Sequence, residues 1–227
     1  MASVPVRYLA FDLGAESGRA MGASFDGQRI ALEELHRFPT GAVRVLDSLH
    51  WDVLRFWCEI QTGLGKAAAA YGESLSSLGL DTWGVDFGLL AADDTLLGNP
   101  YHYRDSRTND VIEAVCRVVP RAEIYAQTGI QFLQFNTLFQ LYAMVRAGSP
   151  VLKTARTLLT MPDLFNFWLS GVKTNEFTIA TTTQCYDTPR EAWAVDLMEI
   201  LDIPTGLFQA ITRPCSVLGM LRQPVLR

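Results

Sequence analysis

Apolar residues near the start of the chain recur at the spacing of short β-strands. Residues 7–12, 18–25 and 28–38 are each rich in apolar side chains, and the dipeptide Asp26-Gly27 separates the second run from the third. Aspartate followed by glycine between two such runs is typical of a hairpin turn, because glycine adopts a positive φ without steric clash. The pattern therefore predicts an antiparallel meander of three strands.

The spacing of apolar residues becomes helical after residue 52. Over residues 53–70 they recur every three or four positions, which predicts an amphipathic helix. Two short apolar runs, residues 75–81 and 84–91, predict buried strands. Strands followed by a crossover helix, another strand and further helices indicate an α/β fold. The further predicted helices are residues 109–118, 136–147, 162–169 and 190–201.

The composition is that of a globular protein, and it narrows the choice of partners. Of the 227 residues, 49% are hydrophobic and 19% are charged, and the net charge is −5. This charge and the lack of any basic run disfavour nucleic acid and anionic membranes as partners, since both favour clustered Lys and Arg. The N-terminus has no secretory signal pattern, and no apolar stretch approaches the roughly 20 residues of a membrane span.

The cysteines bear on metal binding and on the cellular compartment. Cys58, Cys116, Cys185 and Cys215 are far apart and include no Cys-x-x-Cys pair. A zinc site is therefore not expected. This cysteine usage favours a reduced, cytoplasmic protein, although a Cys185–Cys215 disulfide stays open.

The first candidate site follows the first predicted strand and reads DLGAESGR from Asp12 to Arg19. Two glycines, Gly14 and Gly18, would form a tight turn whose backbone N–H groups an anion can approach. Asp12 would hold Mg²⁺ through water, because Mg²⁺ prefers oxygen ligands and keeps several waters. Arg19 would add a fork of hydrogen-bond donors. An ordinary glycine-rich hairpin is the alternative interpretation.

The second candidate site reads DTWGVDFG from Asp81 to Gly88 and lies between two apolar runs. Gly84 would let the backbone approach a bound sugar, while Trp83 would pack against the sugar's apolar face. The alternative is a β-bulge with a structural tryptophan.

The third candidate site reads YRDSRT from Tyr103 to Thr108 and precedes a predicted helix. Asp105 and Arg107 would either bind hydroxyl groups or join neighbouring loops through a carboxylate–guanidinium contact. Ser106 would be a helix N-cap.

Taken together, these segments resemble the FGGY carbohydrate kinases. The resemblance also rests on TGIQFLQFNTLFQL (residues 128–141), LLTMPDLFNFWLSG (158–171) and NEFTIATTTQ (175–184), which occur in the family's order. The first motif is shared with the wider sugar-kinase and actin-like superfamily. TWGVDF and GIQFLQFNT are most similar to the members that phosphorylate L-rhamnulose.

The resemblance implies an actin-like, ribonuclease H-like α/β fold with a mixed sheet and flanking helices, residues 1–227 being the N-terminal domain. It implies that Asp12 faces Mg²⁺ and that Gly84 contacts a ketose substrate. ATP would bind through its phosphates at Ala15, Glu16, Ser17, Gly18 and Arg19. The other ketose-binding residues would be Thr82, Trp83, Asp86, Asp105, Arg107, Gln131 and Asn136.

The implied reaction transfers the γ-phosphate of ATP to the 1-hydroxyl of L-rhamnulose, a step of rhamnose catabolism. The family's proton-accepting aspartate lies in a Gly/Ser-His-Asp-Thr segment that has no counterpart up to Arg227. The second, C-terminal domain with the adenine-binding segment is absent as well, so negligible turnover is expected of this chain alone. The alternatives are a non-catalytic sugar-binding or regulatory remnant, or a kinase for another ketose such as L-fuculose or xylulose.

Overall fold

A computed structural model describes residues 5–225 of the chain. Its strands are β1 (Val6–Leu13), β2 (Ser17–Phe25), β3 (Ile30–Pro39), β4 (Val43–Val45), β5 (Ser48–His50), β6 (Leu75–Thr82), β7 (Phe87–Leu90), β8 (Thr157–Thr160), β9 (Asn175–Glu176), β10 (Tyr186–Asp187), β11 (Ala192–Trp193) and β12 (Ile211–Thr212). Its α-helices are α1 (Val53–Tyr71), α2 (Val111–Val118), α3 (Arg121–Thr128), α4 (Thr137–Arg146), α5 (Pro150–Thr154), α6 (Met161–Ser170), α7 (Phe177–Thr182) and α8 (Val195–Ile200). Short 3₁₀ turns span Gly72–Ser74, Ser106–Thr108, Thr205–Leu207 and Gln223–Val225.

The chain forms two compact units. The first comprises the residues up to Ala42 together with Trp51–Trp83, and the second comprises Val43–His50 together with the residues from Gly84 onward. The boundary at residues 83 and 84 falls inside the second candidate motif, so Trp83 belongs to the first unit and Gly84 to the second.

The first unit is built on one mixed sheet with the strand order β3-β2-β1-β6. The first three strands pair antiparallel, which confirms the predicted meander. Strand β6 is parallel to β1, with α1 as the crossover helix between β3 and β6 along the chain. The carboxyl ends of β1 and β6 meet at one edge, where Asp12 lies beside Asp81 and Leu13 beside Thr82.

Helix α1 forms because Asp52 caps its first turn and because its apolar stripe is buried. The Asp52 carboxylate accepts a hydrogen bond from the Arg55 N–H at 3.1 Å. Phe56 and Ile60 are at most 2% exposed. Gly63 faces the sheet so closely that a Cβ there would lie 2.7 Å from the Phe11 ring. The missing side chain therefore sets how near α1 approaches β1.

The second unit has its own core, formed by its helices and by the antiparallel pair β7–β8. Burial of apolar side chains from separate segments stabilises this unit. Core residues at 0 or 1% exposure include Leu138, Phe139, Leu141, Leu158 and Leu197.

The prediction of a continuous helix over residues 190–201 is wrong in its first half. Ala192–Trp193 pairs with Tyr186–Asp187 as β11, and the helix begins only at Val195. Glu191 has a φ of +52°, which reverses the chain between the two strands. The Trp193 indole N–H donates to the Gln209 carbonyl at 2.7 Å. Strand pairing and this tertiary contact therefore override the helical spacing.

The state of the cysteines decides whether the disulfide left open by the sequence is formed. All four cysteines are free thiols, so no disulfide joins Cys185 and Cys215. Burial raises the pKa of the Cys185 thiol to about 12, which makes it unreactive at neutral pH.

Within residues 5–225, every helix is too short or too polar to cross a membrane.

Two glycines of α1 give a matched test of its packing. Gly63→Ala is expected to lower the free energy of unfolding by about 1–2 kcal/mol, because overpacking outweighs the gain in helix propensity. Gly65→Ala is expected to raise it by about 1 kcal/mol, because a Cβ at Gly65 meets no described atom within 4 Å. Urea denaturation of both variants checks the two signs, and a stabilising Gly63→Ala would contradict the close approach of α1 to β1.

Candidate functional site

The turn between β1 and β2, residues 14–16, lies in the middle of the first candidate motif. The Gly14 N–H donates to the Ser17 carbonyl at 3.0 Å and closes the turn. Thr40, which is fully buried, donates from its hydroxyl to the Gly14 carbonyl at 2.6 Å and from its N–H to the Glu16 carbonyl at 3.2 Å. The β1–β2 turn is therefore fixed from one side by Thr40.

The donors left around this turn suit an anion. The N–H groups of Ala15 and Glu16 make no hydrogen bond to any residue within 5–225. Arg19 forms an ion pair with Asp12 at 2.8 Å, while its Nε is buried and has no acceptor among the same residues. The Asp12 side chain is 56% exposed and can reach a hydrated cation. These residues fit a phosphate group with a magnesium ion beside it.

Gly18 serves packing as well as the turn. A Cβ at this position would lie 2.4 Å from the Phe38 ring on the neighbouring strand β3. A glycine is therefore required here whether or not an anion is bound.

Thr82 and Trp83 end the first unit at the carboxyl edge of β6. The Trp83 ring lies 3.9 Å from the Trp51 ring and 6.1 Å from the Phe56 ring, centroid to centroid, and the Thr82 hydroxyl donates to the Trp83 carbonyl at 2.8 Å. Trp51 is fully buried. Trp83 is thus one wall of an aromatic cluster, which matches the structural interpretation of this tryptophan.

Gly84, Val85 and Asp86 form a γ-turn in the second unit. The Asp86 N–H donates to the Gly84 carbonyl at 2.9 Å across Val85, whose φ is +69°. A γ-turn whose central residue has a positive φ is rare and strained. The strain is greater when that residue is β-branched. Thr137 and Gln140 hold the strained peptide by donating to the Val85 carbonyl at 2.6 and 3.3 Å. The β-bulge of the alternative interpretation is therefore wrong. The γ-turn instead positions Asp86, whose carboxylate is fully buried.

Gln140 joins the Asp86 carboxylate to the Arg107 guanidinium. The Gln140 amide nitrogen donates to Asp86 Oδ1 at 2.8 Å, and its oxygen accepts from Arg107 Nη2. Gln140 is 1% exposed, on the buried face of α4. We call Asp86, Arg107 and Gln140 the Arg107 network.

Arg107 places a positive charge and several hydrogen-bond donors in the interior of the second unit. Burial lowers the pKa of the guanidinium, and the carboxylates of Asp105 and Asp86 oppose this effect. The guanidinium carbon lies 4.0 Å from the centroid of the Tyr101 ring, a cation–π contact. Two buried nitrogens, Nε and Nη1, have no hydrogen-bond acceptor among residues 5–225. Because unsatisfied buried donors are expensive, these two point to a polar ligand.

Asp105 holds the loop that carries Arg107. Its carboxylate accepts from the Leu49 N–H at 2.7 Å and from the Arg107 N–H at 3.0 Å, and lies 3.6 Å from Arg107 Nη1. The carboxylate–guanidinium contact predicted from the sequence is confirmed. The predicted N-cap Ser106 is wrong, because the cap of the 3₁₀ turn is Asp105 itself.

Asn136 and Gln131 contact each other next to the network. The Asn136 amide donates to the Gln131 carbonyl and to Gln184 Oε1, both at 2.9 Å. Gln131 is exposed and contributes its backbone oxygen to this contact.

Within the second unit, the structure thus brings Asp86, Arg107 and Asp105 together. Sequence reasoning missed Gln140, Thr137 and Tyr101, although they complete the same cluster. Gln140 and Thr137 lay in a predicted amphipathic helix, where a buried amide has no periodic signature. Tyr101 lies outside the motifs that were singled out.

Comparisons with known proteins identify the family and the fold of this chain. The model of the FGGY family of carbohydrate kinases, N-terminal domain, matches residues 7–226. Among solved structures, gluconate kinase from Lactobacillus acidophilus superposes with a TM-score of 0.87 at 15% identity, covering 98% of this chain and 45% of that chain. The xylulose kinase of the same organism gives 0.86 at 15% identity over 97% and 44% of the two chains. The fold is therefore that of the N-terminal domain of actin-like sugar kinases.

The chain belongs to the FGGY family of carbohydrate kinases. The rhamnulokinase of Oceanobacillus iheyensis is 40% identical over 214 residues, which cover 94% of this chain and 45% of that protein. The rhamnulokinase of Halalkalibacterium halodurans is 41% identical over 214 residues, again 94% of this chain and 45% of that protein. The chain thus spans about half the length of the curated relatives that it matches.

Asp163 is a buried carboxylate in the first turn of α6, the helix whose first residue contacts the γ-turn. The Met161 N–H, on the first residue of α6, donates to the Asp86 carbonyl at 3.1 Å. Asp163 is 2% exposed and accepts from the Thr160 hydroxyl, the Asn175 amide and the Glu176 N–H. Burial nevertheless raises the pKa of Asp163 to about 6.

The Gln140 bridge is tested by Gln140→Met, which leaves both charged partners without the amide. The free energy of unfolding is expected to fall by about 2–3 kcal/mol, since two buried charged groups each lose a hydrogen bond. Gln131→Met is the matched control and is expected to change it by less than about 0.5 kcal/mol, because that side chain is exposed. Equal effects of the two substitutions in urea denaturation would contradict the bridge.

The raised pKa of Asp163 predicts a pH dependence of stability. The folded state binds this proton more tightly than the unfolded state, so the carboxyl favours folding below pH 4. That contribution is lost as the pH rises from about 4 to above 6, at most about 3 kcal/mol. Asp163→Asn is expected to remove this part of the slope. Urea denaturation between pH 4 and 7.5 compares the two proteins, and parallel profiles would contradict the assignment.

Proposed function

We propose that this chain is the sugar-binding and phosphate-binding half of an ATP-dependent kinase that phosphorylates the 1-hydroxyl of L-rhamnulose. The observation that carries the proposal is the buried guanidinium of Arg107, whose Nε and Nη1 have no acceptor among the described residues. The rhamnulokinase relatives support the choice of sugar, because they cover 94% of this chain.

A ketose suits the chemistry of the Arg107 network. Sugar hydroxyls accept hydrogen bonds from a guanidinium and donate to a carboxylate, and Arg107 and Asp86 offer these two groups. Gly84 would present its backbone to the sugar. Within the second unit, Asp105, Gln131 and Asn136 would surround the ligand or hold the residues that touch it. Thr82 and Trp83 of the first unit stay predictions from the family resemblance.

The β1–β2 turn would bind the phosphates of ATP. Ala15 and Glu16 would donate from their free N–H groups, Ser17 and Gly18 would line the turn, and Arg19 would pair with a phosphate oxygen. Asp12 would hold Mg²⁺, which neutralises negative charge on the phosphate oxygens when it is bound.

Residues of this chain would position both substrates, and the proton of the sugar hydroxyl would pass to an aspartate of the family's second half. Such a kinase works in a reduced cytoplasm, which agrees with four free thiols. Positioning and charge neutralisation supply most of the rate enhancement of phosphoryl transfer.

Isothermal titration of the 227-residue chain with L-rhamnulose tests the sugar site. Saturable binding is expected, and Arg107→Lys is expected to weaken it at least about tenfold, because a lysine cannot reproduce the guanidinium fork. Arg146→Lys, an exposed position on α4, is the matched control and is expected to bind as the parent does. A parent chain that binds no L-rhamnulose would overturn the sugar site. Equal binding of L-fuculose or xylulose would overturn the choice of ketose.

Turnover is a separate test of the missing proton acceptor. The 227-residue chain alone is expected to form no measurable ADP from MgATP and L-rhamnulose, since loss of a general base alone slows a reaction about 10²–10⁴-fold. A coupled ADP assay checks this. Phosphorylation at an ordinary kinase rate would show that the proton acceptor lies within this chain.

A further inference from the structure

The hairpin of β4 and β5, residues 43–50, carries a histidine that is linked to Arg107 by ring contacts. The His50 ring lies 4.5 Å from the Tyr101 ring, centroid to centroid, with 31° between the two planes. The Tyr101 ring in turn lies 4.0 Å from the guanidinium carbon of Arg107. All three residues belong to the second unit. The proposed kinase assigns no role to His50.

The polar contacts of Arg107 do not by themselves fix the plane of its guanidinium. Among residues 5–225, Nη2 is the one guanidinium nitrogen that donates a hydrogen bond, and its acceptor is the Gln140 side-chain oxygen. The nearest Asp105 oxygen lies 3.6 Å from Nη1, which is too far for a hydrogen bond. One hydrogen bond fixes a point of a planar group and leaves rotation about that point. The direction of Nε and Nη1 therefore needs a further constraint.

The face of the Tyr101 ring supplies this constraint. A guanidinium is attracted to an aromatic face by the quadrupole of the ring, and its flat shape lets it stack there. The Tyr101 hydroxyl has no hydrogen-bond partner among the described residues, so the ring is the part of this side chain that acts on Arg107. The Tyr101 ring and the Gln140 amide together define the orientation of the guanidinium.

The backbone of the hairpin holds the loop that begins at Tyr101. His50 and Tyr101 form an antiparallel bridge. Leu49 donates its N–H to the Asp105 carboxylate at 2.7 Å and accepts from the His102 N–H at 2.9 Å. The hairpin therefore contacts this loop at both of its ends.

A hydrogen bond to the same loop orients the His50 imidazole. Nδ1 of His50 lies 3.2 Å from the Asn99 carbonyl oxygen. A carbonyl oxygen can only accept, so Nδ1 carries a hydrogen and donates it. This bond holds the imidazole in place against the Tyr101 ring.

We propose that His50 and Tyr101 are positioning residues of the sugar site. His50 holds the Tyr101 ring, and that ring holds the plane of the Arg107 guanidinium so that Nε and Nη1 face the ligand. The inference rests on the proposed function for the ligand, a ketose, and it adds the β4–β5 hairpin to the site. Donors that are already oriented lose less freedom on binding, so removal of either ring weakens binding while Arg107 is still present.

Nuclear magnetic resonance of the ¹⁵N-labelled 227-residue chain without sugar tests the ring contacts on their own. The Arg107 Nε–H is expected to show a nuclear Overhauser effect to the ring protons of Tyr101. His50→Ala is expected to lower this effect at least about twofold, because the Tyr101 ring loses its neighbour, and His50→Phe is expected to restore it. Absence of the effect in the parent chain would overturn the proposal, and this observation needs no variant to fold. An unchanged effect in a folded His50→Ala chain would overturn it as well.

Isothermal titration with L-rhamnulose tests what the two rings contribute to binding. Tyr101→Leu is expected to weaken binding about tenfold and His50→Ala about threefold, whereas Tyr101→Phe keeps the ring and stays within about twofold of the parent. Val45→Ala, at an exposed position of the same hairpin, is the matched control and is expected to bind as the parent does.

The titration separates this inference from the proposed function. Parent-like binding by folded Tyr101→Leu and His50→Ala chains would overturn the positioning role and leave the sugar site standing. A parent chain that binds no L-rhamnulose would overturn the sugar site and, with it, the positioning role in sugar binding.

Discussion

The second unit depends on the compensation of one buried positive charge. An ion taken out of water loses several kcal/mol of solvation free energy. Removing one partner of a buried ion pair costs about 3–5 kcal/mol, because the other charge is left uncompensated. In this chain Gln140 joins the Arg107 guanidinium to the Asp86 carboxylate, while Tyr101 supplies a ring face and Asp105 supplies a second carboxylate. These contacts link the loop before α2, the γ-turn and α4.

This compensation also accounts for the strained peptide beside it. A buried β-branched residue with a φ of +69° persists only where its surroundings overdetermine it. Thr137 and Gln140 supply that constraint through the Val85 carbonyl. Strain and buried charge thus share the same supports. Among residues 5–225, Nε and Nη1 of Arg107 are the nitrogens of the network that have no hydrogen-bond acceptor. A site preorganised in this way would bind a polar ligand without rearranging its own residues.

Much of the first unit could be predicted from sequence, because each of its elements has a local signature. The Asp26-Gly27 turn, the apolar spacing of α1 and the alternation in β1 to β3 all specify their structure within a few residues. The γ-turn could not be predicted, because the positive φ of Val85 is imposed by Thr137 and Gln140, more than 50 positions further along the chain. Strand β11 was missed for the same reason, since its pairing and the Trp193 contact are tertiary. The motifs located Asp86, Asp105 and Arg107 as site residues. Gln140 lies in the segment 128–141 but was not predicted as a site residue, because a buried amide on a helix has no periodic signature.

Whether the free donors of Arg107 meet a sugar is tested most directly by nuclear magnetic resonance. Titration of the ¹⁵N-labelled 227-residue chain with L-rhamnulose would follow the Gly84 amide and the Arg107 Nε–H together. Saturable shifts of both signals with one common dissociation constant are predicted, because one ligand would contact both groups. Saturable binding that leaves the Arg107 Nε–H signal unmoved would contradict the sugar site built on this buried guanidinium.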